Sequence, residues 1–264
     1  AGLHNVGAAI QWKNLFIGGK HTRVDLPTYP FQKQSYWVEE IRIGNYSKQS
    51  GMSFARMLYS TDWKETALAG EAKVNYDDLV VIGNKPAWLA ALQAQHANVL
   101  VLDANSNVET IKSAVAPLQE KAKAAGKVLP VLLTAPVMPN DSNALVDIVN
   151  AAIKPVLASA RALVAGSDST NPVRLWCVSE NAYGSDNINL AAYPQLGFAK
   201  GMALEAGELW GGILDVSGSA DEQAAAITAE LNGQTPEDAV KYAGAVRSVL
   251  RLQSDRRAQT SLSN

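Results

Sequence analysis

Several tyrosines stand near a lysine at spacings that invite comparison with hydride transfer from a nicotinamide cofactor. That chemistry needs a tyrosine acid, a lysine one helical turn away that lowers the pKa of its phenol, and a nearby serine. Tyr29 and Lys33 have this spacing, but Pro30 disfavours a helix at Tyr29, so the two side chains do not share a helical face. Tyr193 and Lys200 lie seven residues apart, about 10 Å along a helix and too far for direct contact.

Tyr183 and Asn187 form a second candidate pair, because some reductases place a tyrosine and an asparagine four residues apart on a helix. Between them stand Gly184, Ser185 and Asp186, residue types that favour turns. The segment therefore predicts a loop, and the pair does not predict a catalytic site.

The histidines and the single cysteine do not predict metal or nucleophilic chemistry. His4, His21 and His96 are scattered, and no cysteine or carboxylate stands at a spacing that would complete a metal site. Cys177 lies in an apolar strand pattern, where a small buried hydrophobe is a better interpretation than a nucleophile.

Two pairs of adjacent carboxylates, Glu39 with Glu40 and Asp77 with Asp78, fall in predicted loops or at the ends of elements. Solvated faces and helix caps are the usual roles of such residues. With these pairs set aside, we predict no catalytic residue, no cofactor-binding residue, no bound cofactor and no metal site in this sequence.

The composition is that of a soluble globular protein. With 264 residues, of which 47% are hydrophobic, the chain can bury a large core. A net charge of -2 and a pI near 6.0 give no basic surface for nucleic acid. No apolar run is long enough for a membrane span, and the first residues do not resemble a signal peptide. We therefore predict no nucleic-acid partner, no membrane partner and a cytoplasmic location.

The stretch 79–89 is the point at which a dinucleotide fold would begin, since an apolar strand runs directly into a helix. A phosphate-binding loop of the form G-x-G-x-x-G needs small residues at all three glycine positions. Counting from Gly83, the second and third positions are Lys85 and Trp88. The crossover therefore keeps its strand and helix without a surface for phosphate.

The start of the predicted helix is still well specified. Asn84 can cap it, and Pro86 fits the first turn. We expect Trp88 to be a buried packing residue and Lys85 to be solvated.

Strands alternate with helices along most of the chain. This alternation predicts parallel strands joined by right-handed crossovers, in an α/β, truncated Rossmann-like, doubly wound and mostly parallel sheet with an extended N-terminal linker segment. The predicted strands are 57–63, 79–83, 98–102, 128–134, 173–178, 211–216, 238–242 and 245–252, and the predicted helices are 86–95, 108–125, 141–164, 193–206 and 221–231.

Three regions follow from these patterns. Residues 1–56 mix prolines, aromatic and polar residues without a sustained period. This pattern predicts a wrapping segment that is anchored by the aromatic side chains in 24–37. We prefer this interpretation to a recognition peptide for another partner. Residues 57–252 form the α/β domain. Residues 253–264 are polar and aperiodic, which predicts a flexible tail.

Two stretches resemble modular type I polyketide synthases. Residues 26–37, Leu-Pro-Thr-Tyr-Pro-Phe-Gln-Lys-Gln-Ser-Tyr-Trp, resemble the linker that follows the acyltransferase domain. Residues 201–215 contain Glu-Leu-Trp-Gly-Gly and look like the corresponding turn and strand in the structural half of polyketide ketoreductases. Residues 58–63 and 237–252 are similar to the strands that open and close that half.

The resemblance implies a division of labour. In that family the first ketoreductase half is a cofactor-free structural subdomain, whereas the second half binds NADPH and carries the active site. The sequence resembles the first half only, and no catalytic residue is carried over from the second. The implied partners are the catalytic ketoreductase subdomain, the acyltransferase and the acyl carrier protein, with C-methyltransferase and dehydratase domains as further candidates. The resemblance fits two kinds of module equally well. One has a C-methyltransferase inserted between the two ketoreductase halves, and the other has a vestigial reductase.

This interpretation predicts a non-catalytic scaffold whose edge strands, 57–63 and the terminal strands within 238–252, pair with the catalytic half. The main alternative is a free-standing NADP-dependent short-chain reductase with an irregular site that uses Tyr183 or Tyr193. A third hypothesis is an inactive module that binds carrier protein or phosphopantetheine.

Overall fold

The computed structural model describes residues 11, 14, 18–19, 59–68, 76–137, 144–164, 172–184, 186–233 and 237–254. By its contacts the chain divides into two units, 1–53 and 54–264, and the elements below belong to the second. The predicted wrapping segment therefore lies almost entirely outside the described residues. None of the helices described is long and apolar enough to cross a membrane.

In the described part of the second unit, eight strands and five α-helices follow one another, mostly in alternation. The strands are β1 (Tyr59–Glu65), β2 (Leu79–Ile82), β3 (Val99–Leu102), β4 (Leu129–Thr134), β5 (Val173–Glu180), β6 (Trp210–Ser217), β7 (Ala239–Ala243) and β8 (Val246–Ser254). The helices are α1 (Trp88–Gln95), α2 (Val108–Ala125), α3 (Leu145–Val164), α4 (Tyr193–Glu205) and α5 (Ala220–Asn232).

All eight strands form one sheet in the order β1-β8-β7-β6-β5-β4-β2-β3. Strands β2 to β7 are parallel to their neighbours within that group, whereas β8 pairs antiparallel with both β7 and β1. The predicted α/β class and mostly parallel sheet are confirmed.

The helices cover the sheet from both sides. Helices α2, α3 and α4 pack in one hydrophobic cluster, and α1 and α5 pack in the other. Neighbouring side chains of β2 go to opposite clusters, because successive residues of a strand point to opposite faces. Its four apolar residues are therefore all buried.

Local signals place the ends of α2 at the predicted residues. Asn107 accepts the N–H of Thr110 at 2.9 Å as the N-cap, and Gly126 ends the helix with a left-handed φ of 63°. Residues 253 and 254, which were predicted to belong to the C-terminal tail, are instead the last residues of β8. Residues 255–264 lie outside the described part.

The prediction that the terminal strands form a free edge is wrong. Strand β8 lies between β7 and β1, so that β1 is the outermost strand on that side of the sheet. Because Thr66 donates its N–H to Arg247 across the pair, alternation turns the N–H of Trp63 outward. Asp62 Oδ1 accepts that N–H at 2.9 Å, so one outward donor of β1 is already occupied.

The Gly-Gly pair at the start of β6 makes room for an indole. A Cβ added to Gly211 would lie 2.5 Å from Trp176, and one added to Gly212 would lie 2.8 Å from the same ring. Gly212 also has a φ of 146°, which side chains rarely adopt. The Glu-Leu-Trp-Gly-Gly motif thus has a packing reason in this chain.

We predict that Gly211→Ala lowers the free energy of unfolding by about 1–3 kcal/mol, because the new methyl group overpacks against Trp176. The matched control is Gly197→Ala in α4, where an added Cβ meets no atom within 4 Å. That control should be neutral or stabilise by about 0.5–1 kcal/mol. Urea unfolding measures both. Equal effects at the two glycines, or an undiminished cost in a Trp176→Ala background, would contradict the explanation.

Candidate functional site

The crossover after β2 uses Gly83 for contact with protein. Its φ is 138°, and an added Cβ would overlap the side chain of Thr134 on β4. Its N–H donates to the carbonyl of Leu102 at 3.0 Å. Close packing against two neighbouring strands therefore explains this glycine without any bound phosphate.

The remaining positions of the crossover agree with the predicted packing. Trp88 is 0% exposed and packs with apolar residues of β2 and α1, including Leu79 and Leu92. Its Nε1 has no hydrogen-bond partner among the described residues, so the indole contributes through packing. Lys85 is exposed. Both expectations are confirmed, and an indole fills the place where a phosphate loop requires its third small residue.

The predicted cap of this helix is wrong. Helix α1 begins at Trp88 after Ala87, and no side chain caps it. The carbonyl of Asn84 instead accepts the hydroxyl of Thr134 at 3.2 Å. The helix thus starts further along than predicted, and Pro86 precedes it.

A polar cluster lies at the carboxyl ends of β5, β6 and β7. Asp215 on β6 is 3% exposed and accepts three hydrogen bonds. The donors are the hydroxyl of Ser179 at 2.7 Å and the backbone N–H groups of Ala182 and Tyr183 at 2.8 and 2.9 Å. Burial raises the pKa of Asp215, and these hydrogen bonds partly offset the rise.

Lys241 on β7 completes this cluster together with aromatic side chains. Its Nζ donates to the carbonyl of Tyr183 at 3.3 Å and lies 5.1 Å from the ring centroid of Trp63. The rings of Trp63 and Tyr183 are 4.9 Å apart, and Tyr193 lies 6.0 Å from Tyr183. The ammonium of Lys241 makes a cation–π contact that joins β7 to β1, and the ring contact of Trp63 with Tyr183 joins β1 to the loop after β5.

The tyrosines of this cluster do not have the environment of a reductase acid. Burial, with smaller contributions from Tyr193 and Asp215, raises the pKa of Tyr183 to about 12. The hydroxyl of Tyr193 donates to the carbonyl of Ala182 at 3.0 Å, and Gly197 stands one turn further along α4. The described residues between Tyr183 and Asn187 lie in no helix, as the predicted loop requires, so the two residues share no helical face.

Sequence reasoning missed Asp215 and Lys241. Each stands near the end of an apolar strand, and these two residues are direct partners in the β6–β7 register. A carboxylate at the carboxyl end of a parallel strand was the available signal. What it contacts depends on the loop after β5, which the spacing along the chain does not reveal.

Two other candidates have ordinary structural environments. Cys177 is completely buried, and burial raises the pKa of its thiol to about 12, which confirms the interpretation as a small buried hydrophobe. The Nε2 of His96 lies 3.0 Å from the hydroxyl of Thr228, and burial lowers the pKa of His96. Among the described residues no group of three side chains could hold a metal ion.

The paired carboxylates before β2 differ from each other. Asp77 is exposed and bonds Lys127 at 2.6 Å, and that hydrogen bond lowers the pKa of Asp77. Asp78 is 7% exposed and pairs with Lys121 at 2.7 Å, so the expected solvated or capping role is wrong for Asp78. The remaining candidates lie outside the described residues: Tyr29, Lys33, His4, His21, Glu39 and Glu40.

Two cavities lie at the carboxyl ends of strands. One, of about 300 Å³, lies beside Asp215 and Lys241. The other, of about 280 Å³, is lined in part by Asn84, Asn150 and Lys154, all of which are exposed. The first contains the buried polar cluster, and the second is a solvated hollow beside the crossover.

The comparison of structures defines the class of fold. The chain is similar to the first ketoreductase of the tylosin polyketide synthase, with a TM-score of 0.54 and 18% identity over 76% of this chain and 42% of that one. A-type ketoreductases from a modular polyketide synthase give a TM-score of 0.57 and 20% identity over 76% and 43% of the two chains. The fold is therefore Rossmann-like and ketoreductase-like.

The sequence comparison leads to particular relatives. The chain is 26% identical to pikromycin polyketide synthase component PikAIII of Streptomyces venezuelae over 241 residues, which are 89% of this chain and 14% of that protein. It is 25% identical to polyketide synthase GfsA of Streptomyces halstedii over 234 residues, 82% of this chain and 3% of that protein. No family model matches the chain. The chain thus spans a small part of the relatives it matches.

Proposed function

We propose that this chain is a non-catalytic structural half of a ketoreductase within a cytoplasmic modular polyketide synthase, preceded at 1–56 by a post-acyltransferase linker. The carrying observation is the crossover, where fully buried Trp88 and exposed Lys85 stand at two positions of a phosphate loop. A subdomain that holds no nucleotide can fill that space with a packed side chain, and its role is to support neighbouring domains in polyketide biosynthesis.

The comparisons support a partial unit of this kind. The matched relatives are polyketide synthases, and the match covers less than half of each ketoreductase chain named above. The proposed partners are the catalytic ketoreductase half, the acyltransferase and the acyl carrier protein, with C-methyltransferase and dehydratase domains as further candidates.

The environments of Tyr183 and Tyr193 argue against the alternative function, a free-standing reductase. A general acid of this kind works best when its pKa is lowered towards neutral pH. The pKa of Tyr183 is instead raised to about 12, and the ammonium of Lys241 bonds the Tyr183 carbonyl at 3.3 Å. Tyr193 has Gly197 where a lysine one turn away would stand.

Exposed apolar side chains on α3 and α4 support docking of the catalytic half. On α3 they recur on one face, at Val146, Leu157 and Val164, and on α4 Phe198 and Leu204 are exposed on different sides of the helix. Leu204 is 89% exposed. Soluble proteins seldom leave such faces uncovered. The edge pairing predicted for 57–63 stays a prediction, and Asp62 already occupies one outward donor there.

Titration with NADPH tests the non-catalytic role. The purified chain should show no binding tighter than about 100 μM, equivalent to about -5.5 kcal/mol. It should also leave NADPH unoxidised in the presence of a small β-ketothioester. Saturable binding below that concentration, or reduction of the thioester, would overturn the proposal.

A second experiment tests docking. In it, catalytic ketoreductase halves from polyketide synthase relatives are added to the chain as separate proteins. Leu157→Asp with Leu204→Asp should weaken their binding at least about tenfold, about 1.4 kcal/mol. Val137→Asp is the control, because Val137 is 65% exposed but belongs to neither helix. If Val137→Asp weakened binding of the catalytic half equally, α3 and α4 would not be the docking surface.

A further inference from the structure

Adjacent connections of the sheet diverge at the carboxyl ends of β5 and β6. The connection from β5 to β6 runs through α4 on one face, and the connection from β6 to β7 runs through α5 on the opposite face. Because these two connections leave on opposite faces, a crevice opens outside the carboxyl ends of β5 and β6, although the strand order does not reverse there. The cavity of about 300 Å³ lies there. We call it the Lys241 crevice, lined by Asn181, Tyr183, Asp186, Asp215 and Lys241 together with neighbouring residues.

The wall of the Lys241 crevice is held in place by its own hydrogen bonds. Asn181 Nδ2 donates to the carbonyls of Asp186 and Asn187 at 2.7 and 3.0 Å. Asp215 fixes the start of the same loop through the N–H groups of Ala182 and Tyr183. The crevice is therefore preorganised, which reduces the entropic cost of binding a ligand.

Polar groups remain available after these bonds are made. The ammonium of Lys241 carries three donors, and its one hydrogen bond within the described part of the chain goes to the carbonyl of Tyr183. Asn181 uses both amide hydrogens, and its Oδ1 is left as an acceptor among the described residues. The crevice thus offers a donor and an acceptor together.

We propose that the Lys241 crevice binds a small uncharged molecule that carries a carbonyl oxygen next to a hydroxyl or amide N–H, such as a hydroxy amide. The carbonyl oxygen accepts from Lys241, and the donor group bonds Asn181. This site is separate from the crossover at Gly83, so it is independent of the proposed scaffold role.

The charges of the crevice favour a neutral ligand over an anion. Lys241 is the one cation among its lining residues, whereas Asp186 and Asp215 both carry carboxyl groups. A ligand carboxylate would gain attraction from Lys241, whose charge already interacts with Asp215, and would be repelled by the carboxylate of Asp215. The amide analogue of the same ligand avoids that repulsion and keeps the carbonyl acceptor.

A matched ligand pair tests the inference. The full chain, labelled with ¹⁵N, is titrated with lactamide and with lactate, which share one skeleton and differ in charge. We expect lactamide to shift amide resonances of residues around Lys241 and Asn181, with Kd on the order of 1–10 mM for so small a ligand. Lactate should bind at least about tenfold more weakly.

Two variants assign the effect to the ammonium. Lys241→Met keeps most of the aliphatic stem and should abolish the lactamide shifts. Lys154→Met, beside the other cavity, should leave them unchanged. Circular dichroism shows that each variant is folded.

Several outcomes would overturn the inference: no localised shifts up to about 50 mM, shifts that persist in Lys241→Met, or tighter binding of lactate. A purely structural role for Lys241 predicts lower stability of Lys241→Met and no ligand shifts in the parent chain. NADPH binding would overturn the proposed function and leave this result untouched.

Discussion

Glu230→Ala is expected to lower the free energy of unfolding by about 3–5 kcal/mol, because it leaves a buried guanidinium without its partner. Glu230 on α5 is 0% exposed and Arg247 on β8 is 6% exposed. Arg247 Nε and Nη2 donate to the two carboxylate oxygens at 2.8 and 2.9 Å, and the hydroxyl of Tyr242 donates to the same carboxylate at 3.1 Å. Arg247 also donates to the carbonyl of Thr66 at 3.1 Å.

This network joins three parts of the structure that are distant in sequence. Its members lie on α5, β7 and β8 and in the segment that follows β1. Loss of the carboxylate therefore removes a bidentate ion pair and also loosens the attachment of the edge strand. The hydrogen bond with Glu230 is the main cause of the raised pKa of Arg247. Removal of Glu230 takes that rise away, but the guanidinium stays charged because arginine is intrinsically protonated at neutral pH.

The chain offers a matched control on the same strand. Arg251 forms a similar bidentate pair with Glu237, both bonds being 2.6 Å long. Its side chains are 43% and 18% exposed, so solvent screens the pair, and Glu237→Ala should cost no more than about 1 kcal/mol.

Chemical denaturation measures both variants under the same conditions. A cost at Glu230 no larger than that at Glu237 would contradict the assigned role of burial. The double variant Glu230→Met with Arg247→Met should recover much of the loss, because apolar side chains of similar length replace a buried ion pair without leaving a charge behind. A double variant as unstable as Glu230→Ala would show that the uncompensated charge is not the cause.

Features with local causes could be predicted from the sequence. Helix α2 is capped by Asn107 at its start and ends at Gly126, and both residues directly adjoin the helix. Strand β2 is apolar throughout and buried on both faces, as the pattern indicates. Such signals need only neighbouring residues, and they give the correct elements and the α/β class.

Features with distant causes could not be predicted. The Asn84 carbonyl before α1 accepts a hydrogen bond from Thr134, which is 50 residues away. The burial of Asp78 depends on Lys121, 43 residues away, and the site of Asp215 depends on a loop more than 30 residues earlier. The position of β8 inside the sheet depends on its pairing with β1. Each of these contacts depends on which strands pair and in which register. The spacing of residues along the chain does not reveal that pairing.

The crossover itself provides the second large effect. Trp88→Gly should lower the free energy of unfolding by at least about 4 kcal/mol, because it leaves a cavity in place of a fully buried indole and puts glycine at the start of α1. Trp88→Phe should cost far less, because the ring remains and the unpartnered Nε1 is removed. Lys85→Gly, at an exposed position of the same crossover, should stay within about 1 kcal/mol.

Variants at the same two positions test whether the side chains of Lys85 and Trp88 alone prevent nucleotide binding at the crossover. Lys85→Gly with Trp88→Gly restores glycine at all three positions of G-x-G-x-x-G, counted from Gly83. We expect no NADPH binding tighter than about 100 μM even so, since Gly83 packs on Thr134, and the carbonyl of Asn84 is bonded to that side chain. Where the double variant unfolds, Lys85→Gly with Trp88→Ala gives the same test at lower cost. Unchanged stability of Trp88→Gly, or NADPH affinity gained by either double variant, would mean that the crossover is a blocked nucleotide site and not a packing unit.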